Sequence, residues 1–329
     1  MKNKILYILS ASNKVGYGHL LRSSALAKKY KELGFKNILV GPKKSQIKYI
    51  NKNIYNKYIA LDLKQKKISS KIFKIYEKNK CNYIVLDIPN FSTKEQEFLN
   101  KKNIRWLHFD CVNPVITYSN QKICSLPQNS KSNTKYLYTG KNNSILRKEF
   151  FEKKKIKTSS KDIFISFGGG IDNGALYFLL KNFQEFLKNY NLNILLGKNR
   201  FKSKIIKLLI KKYTINKISF VKKNAKSIVN AIDKSLFSIS SGGSITHEIS
   251  SRSKKMVIIS IVKNQLLQSK LWYKQGNIYL GDISQKRKLK TLFLDNLKLI
   301  KKFKSKKFII RKNPINQICK DTIEIIKKK

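Results

Sequence analysis

Acidic residues are scarce in this chain: 18 Asp and Glu stand against 71 Lys and Arg, a formal net charge of +53. Such an imbalance first suggests nucleic acid. The distribution argues against it, because the lysines run along the whole chain instead of forming one block, amid abundant Ile and Asn. That mixture is what an AT-rich genome writes at tolerant surface positions. No RNA-binding aromatic motif, zinc knuckle or helix-turn-helix pair accompanies it. No specific nucleic-acid partner is therefore expected. A positive surface still attracts diphosphates and anionic lipid head groups, so peripheral contact with an anionic membrane stays open.

Histidine and cysteine are rarer still, at 3 and 4. Cys81, Cys111, Cys124 and Cys319 have no C-x-x-C spacing, so no zinc or other metal site is expected. A reducing cytoplasm is the simplest setting for them. Long apolar runs are missing too. Residues 256–262 form one of the longest, far short of a bilayer span, and read as a central strand. The opening Met1-Lys2-Asn3-Lys4 and its short apolar run resemble a secretory leader only faintly, since polar residues follow at once. No obligate protein partner is inferred.

What is present is 41% hydrophobic and 11% aromatic over 329 residues, enough for two domains with proper cores. Strands are expected at 5–9, 37–40, 58–61, 83–87 and 104–110, with helices near 69–78 and 93–102. Residues 111–145 look irregular, with Pro114, Pro127 and a polar loop. The charged stretch 152–161 reads as a linker. The pattern then restarts with strands at 162–167, 192–196, 218–221, 236–240, 256–262 and 277–280, and a helix over 175–188. A closing helix, 315–328, can pack on either half. Alternating β and α elements imply parallel sheets covered on both faces. The expected architecture is α/β and GT-B-like: two Rossmann-like domains facing across a cleft. They divide at 1–155, the side of a catalytic histidine loop, and 156–329, the nucleotide side with the closing helix.

Each half opens on a strand, a glycine turn and a helix. The first turn is Val15-Gly16-Tyr17-Gly18-His19-Leu20-Leu21-Arg22, ahead of an amphipathic pattern of Leu20, Leu21, Ala25, Leu26, Tyr30 and Leu33. Gly16 and Gly18 permit a sharp turn and close approach of a ligand. Free amides and the helix dipole at such a corner favour an anion. His19 then falls at the carboxyl edge of the sheet, where open α/β sheets hold ligands. The alternative is an ordinary turn with a surface histidine.

In the second half, Ser240-Ser241-Gly242-Gly243-Ser244 follows a strand and opens a helix carrying His247 and Glu248. Its amides and the Ser244 hydroxyl suit a phosphate, and Glu248 suits a ribose diol. A capping box is the competing reading, although Ser244 to Glu248 is one residue longer than S-x-x-E. Gly168-Gly169-Gly170 ends another strand and reads as a second phosphate-type turn or a merely flexible one. Asn264-Gln265 lie at a further sheet edge, as sugar or phosphate ligands or a plain helix start. His247 reads as a bystander and His108 as structural.

Taken in order, these elements resemble the nucleotide-sugar hydrolases of pseudaminic acid biosynthesis, the PseG group. The related SpsG spore-coat proteins and, more distantly, MurG-like glycosyltransferases are similar too. The resemblance rests on Gly16-Tyr17-Gly18-His19 with Arg22; Gly140, then Leu146-Arg147-Lys148-Glu149-Phe150; Ile165 to Gly169 with Asp172; Ser241 to Ser244 with Glu248; and Val262 to Gln265. It spans about residues 4 to 282. It implies hydrolysis of UDP-2,4-diacetamido-2,4,6-trideoxy-altrose to UDP and the free sugar, by water attack at the anomeric carbon. His19 matches the family's base, and the chemistry needs neither metal nor organic cofactor. The implied partner is a UDP-linked amino-deoxy sugar. Three departures fall at sheet edges: Asp87-Ile88-Pro89-Asn90 replaces an Asp-His-Tyr-like segment, Asp110-Cys111 replaces paired aspartates, and Asp172 comes one place late. They leave open a different sugar, or an acceptor hydroxyl in place of water, as in a GT-B glycosyltransferase using a UDP-sugar donor.

Overall fold

The computed structural model describes residues 3–10, 17–41, 53–63, 67–88, 91–109, 118–124, 134–197, 202–212, 217–304, 309 and 311–328. The chain divides into two compact units, 1–147 with 312–329, and 148–311.

The first unit contains β1 (Lys4–Leu9), α1 (Gly18–Glu32), β2 (Lys36–Gly41), β3 (Lys57–Ala60), α2 (Ile68–Lys78), β4 (Tyr83–Asp87), α3 (Thr93–Lys101), β5 (Trp106–Phe109), β6 (Gln121–Cys124) and β7 (Tyr136–Thr139). Its seven strands pair in the order β3-β2-β1-β4-β5-β6-β7, and every pairing is parallel. Alternate residues of the apolar strands feed two cores. Tyr7, Val85 and Leu107 point to the face that α1 covers, and Ile8, Ile84 and Trp106 to the opposite one. Burial on both faces is why β1 and β4 read as continuous apolar runs. In α1 the buried stripe is Leu20, Ser23, Leu26, Ala27 and Tyr30, while the predicted members Leu21 and Leu33 are exposed.

Two of these strands, β6 and β7, lie in the stretch expected to be irregular. Gln121 is wholly buried in β6. It accepts from the Tyr83 hydroxyl at 2.6 Å and donates to the Tyr138 hydroxyl at 3.1 Å. A polar residue buried on polar partners carries no apolar signature, which is why the pattern missed the strand.

The second unit contains β8 (Asp162–Ser166), α4 (Ala175–Asn182), α5 (Gln184–Leu187), β9 (Asn191–Leu195), α6 (Lys202–Lys212), β10 (Ile218–Phe220), α7 (Ala225–Lys234), β11 (Phe237–Ser241), α8 (Ile245–Ser251), β12 (Lys255–Ser260), α9 (Leu266–Lys274), β13 (Ile278–Asp282), α10 (Lys286–Asp295) and α11 (Leu297–Lys301). Six parallel strands pair in the order β10-β9-β8-β11-β12-β13. The helix expected over 175–188 is broken at Phe183, whose φ of −117° leaves the helical region. Its ring stacks on Phe293 at 3.8 Å, so packing overrides local propensity there.

The stretch expected as a linker is held by the second unit. The Arg252 guanidinium is fully buried, forks onto Asp233 at 2.7 and 2.9 Å, and donates to the carbonyls of Phe150 and Glu152 at 3.2 and 2.6 Å. The last helix, α12 (Ile315–Lys327), was assigned from the sequence to the second half, yet it belongs to the first unit. Ile315, Ile318, Cys319 and Ile325 join the core under α1, and Thr322 donates to Gln121 at 2.6 Å. Among the described residues no helix is long and apolar enough to cross a membrane, and no cluster of three potential metal ligands occurs. Cys81, Cys124 and Cys319 are buried.

Candidate functional site

In both sheets the strand order reverses beside the first strand, between β1 and β4 and between β8 and β11. Such switch points open a crevice at the carboxyl ends of the strands. His19 and Arg22 lie beside the first of these places, and Gly168, Ser241, Gly242 and Gly243 beside the second, with Asn264 and Gln265 after β12.

In the first unit, β1 and β4 pair in register to Leu9 opposite Asp87. His19, in the first turn of α1, places Nδ1 2.6 Å from Asp87 Oδ1. Arg22, one turn further, donates from Nε to Asp87 Oδ2 at 2.6 Å and from Nη2 to Oδ1. The Ser23 hydroxyl adds a 3.4 Å contact to Oδ2. Asp87 is buried, whereas His19 and Arg22 are each about one-fifth exposed. Burial alone would raise the Asp87 carboxyl. The Arg22 guanidinium and His19 imidazole outweigh it and hold the group well below the usual carboxylate range. Arg22 also lies over the Phe109 ring, 4.7 Å from its centroid, which fixes the plane of the fork.

This geometry sets the histidine tautomer. Arg22 Nη2 stands 3.1 Å from His19 Nδ1, but a guanidinium only donates. An ionised carboxylate only accepts, so the Nδ1 proton is directed to Asp87. In the neutral imidazole Nε2 then carries the lone pair that a general base needs. Gly16 lies outside the described residues, as do Pro89, Asn90, Asp110 and Cys111. Gly18 is the first residue of α1 and is not among the glycines with positive φ, so the sharp turn expected of it is not made there.

In the second unit, the turns after β8 and β11 and the segment after β12 come together. Gly168 takes a φ of +87°, and a Cβ added there would stand 3.8 Å from the Ser241 hydroxyl. A Cβ on Gly197, just past β9, would meet the Gly168 carbonyl at 2.4 Å, so backbone packs directly on backbone under the triple-glycine turn. Gly169 is exposed. A Cβ on Gly242 would fall 2.0 Å from Ser269 Oγ, and one on Gly243 would fall 3.1 Å from Gln265 Nε2. Gly242 is thus required by the close seating of α9, whereas at Gly243 a Cβ would meet only the end of the Gln265 side chain. Gln268, on the same helix, donates to the Gly243 carbonyl at 3.1 Å and to Thr246 Oγ1 at 2.9 Å.

Several sequence alternatives are decided here. Ser244 is exposed and makes no side-chain cap, so the capping box is not built. Glu248 is half-buried, one turn into α8. Asp172, read as a late family residue, accepts from the amides of Gly174 at 3.0 Å and Leu176 at 3.3 Å; its carboxylate occupies the start of α4. Gln265 accepts from the Ile261 amide at 3.1 Å, whereas Asn264 is exposed. His247 packs edge-on against Trp272. His108 is buried in β5, edge-on to Phe91.

Sequence reasoning did not single out Asp87 as the partner of His19 and treated it only as the start of a divergent segment. Its signal was available: a lone carboxylate ending the apolar strand Tyr83-Ile84-Val85-Leu86, beside the strand that leads to His19.

No protein-family model matches the chain, and no curated protein matches it significantly. Solved structures share its fold end to end. MurG of Acinetobacter baumannii superposes with a TM-score of 0.65 at 12% identity, each chain covered in full. MnaA of S. aureus, solved with UDP, gives 0.60 at 11% identity, covering 98% of this chain and 96% of that one. The UDP-GlcNAc 2-epimerase of Methanocaldococcus jannaschii gives 0.59 at 11%, covering 98% and 99%. At these identities the likeness is one of fold: tandem Rossmann-like units with parallel sheets, of GT-B type.

Proposed function

We propose that this chain is a UDP-sugar hydrolase of the PseG kind, releasing UDP and a free 2,4-diacetamido-2,4,6-trideoxy sugar. The observation that carries the reading is the His19–Asp87 pair at the β1/β4 switch point. Asp87 and Arg22 position it and His19 does the chemistry. Nε2 takes a proton from water, the water oxygen bonds to the anomeric carbon, and the bond from that carbon to the diphosphate oxygen breaks with its electron pair leaving on UDP. The amides of the Gly168-Gly169 and Gly242-Gly243 turns and the hydroxyls of Ser241 and Ser244 hold the diphosphate as its charge grows. Glu248 takes the ribose hydroxyls, while Asn264 and Gln265 border the same site. The fold shared with MurG and with MnaA, solved with UDP, supports a UDP-linked substrate.

The base would equally serve an acceptor hydroxyl, and the fold is common to a glycosyltransferase and to epimerases. Incubation with the UDP-linked diacetamido sugar in ¹⁸O-water separates these outcomes. Hydrolysis at the anomeric carbon releases UDP without an acceptor and places the label in the sugar. Label in UDP, release only with an added glycan or lipid acceptor, or a 2-epimer as product each overturns the reading. Glu248→Ala is expected to weaken UDP binding by about 10- to 100-fold, the scale of hydrogen bonds to a charged group. Unchanged affinity by calorimetry removes Glu248 from the ribose site.

A further inference from the structure

Three donors hold the carbonyl of Gly243, in the turn after β11. The Thr246 amide reaches it at 3.0 Å, the Thr246 hydroxyl at 2.8 Å and the Gln268 carboxamide, from α9, at 3.1 Å. Gln268 Nε2 also donates to the Thr246 oxygen at 2.9 Å and lies 3.1 Å from His247 Nε2. Its two protons suffice for these contacts. The Gly243 and Thr246 oxygens, 2.8 Å apart, share one, and the other is directed to His247. A carbonyl has two lone pairs, and Thr246 alone supplies two donors. The Gln268 bond is therefore not needed to satisfy the oxygen; its effect is to fix where the carbonyl points.

A trans peptide is planar, with its C=O and N–H opposed. Turning the Gly243 carbonyl toward α8 and α9 therefore turns the Ser244 N–H away from both helices. No hydrogen bond among the described residues occupies that N–H. The hydroxyl of Ser241, a residue only 1% exposed, is likewise without a partner among the described residues. Cβ atoms built on Gly168 and Gly243 would stand 3.8 and 3.7 Å from its oxygen, so both glycine turns close on it. We propose that Gln268 and Thr246 are positioning residues for a nucleoside diphosphate: they aim the Ser244 N–H so that it and the Ser241 hydroxyl both donate to the diphosphate. The inference rests on the UDP site proposed above, and not on which reaction follows binding.

Calorimetric titration of the full chain with UDP and, separately, with uridine tests this. The unaltered protein is expected to prefer UDP. Gln268→Leu and Thr246→Val should each lower UDP affinity by about 3- to 10-fold, the scale of one hydrogen bond, and leave uridine affinity unchanged. Thr246→Ser keeps the hydroxyl and should keep the affinity for UDP. If Thr246→Val does not fold, Gln268→Leu, at a half-buried position, decides. An unaltered protein that binds UDP no better than uridine removes the diphosphate site itself, and this proposal with it. A preference for UDP undiminished in the variants overturns the positioning role alone. A loss shared equally by uridine also overturns it, since Gln268 and Thr246 would then serve only general packing.

Discussion

Replacing His19 by alanine removes the proton acceptor while leaving the glycine turns of the second unit untouched. Turnover is expected to fall by about 10²- to 10⁴-fold, the usual worth of a positioned base. UDP affinity, read by calorimetry, stays near that of the unaltered protein. Asp87→Asn tests the orienting role separately: the amide can present a donor to Nδ1 and favour the tautomer that puts the proton on Nε2. Loss of kcat with little change in KM is expected, and full activity would refute the positioning. The same carboxylate makes a pH prediction. Its native value lies below that of the unfolded chain, about 3.9, so it stabilises the fold above about pH 4. That stabilisation disappears as pH falls through the native value. Urea unfolding from pH 6 to pH 3 should therefore show the gap between the unaltered protein and Asp87→Asn constant down to about pH 4 and beginning to narrow by pH 3. His19 was legible because glycines flank it after an apolar strand. Asp87 was not, because its partner lies 68 residues away and only the sheet order makes them neighbours.

The strand–turn–helix corners were the elements easiest to read, since a buried parallel strand is one apolar run and glycine marks where the backbone is crowded. The crowding gives Gly242 a sharper role than flexibility. Ser269 is fully buried and tied to Ser260 at 2.9 Å, so its hydroxyl cannot easily yield to a new methyl group 2.0 Å away. Gly242→Ala is expected to cost about 1–3 kcal/mol of stability, as overpacking does, and to weaken UDP binding by moving the turn. Adding Ser269→Ala should restore part of the stability, because the clash with the Gln265 carbonyl at 3.1 Å persists. Denaturant melts of both variants check this; no recovery in the double variant would mean that Ser269 is not the obstacle. What stayed illegible at this scale was polar burial. Gln121 and Lys122 inside β6 break the hydrophobic pattern, and Asp172, one place late in the resembled pattern, accepts from the amides at the start of α4.

The chain crosses from one unit to the other and returns, which local sequence patterns do not reveal. An amphipathic helix states that it needs a surface, not which one, and α12 finds its surface some 200 residues upstream. Tyr30 donates to Thr322, Thr322 to Gln121, and Gln121 to the Ile318 carbonyl at 3.1 Å, while Tyr138 donates to Asp321. Arg105 adds bonds to the carbonyls of Ile325 and Lys328. Ile315, Ile318 and Ile325 close the core beneath this network. Each such side chain is worth about 1.5–3 kcal/mol on burial, and whole domains are stable by only about 5–15 kcal/mol. Deleting residues 312–329 should therefore unfold the first unit, which holds His19 and Asp87, while the second unit keeps its own core. Calorimetric melting of the truncated chain should show the transition of the second unit alone, with UDP still shifting it upward. A truncated chain that melts like the full one would mean that α12 is dispensable to the sheet it covers.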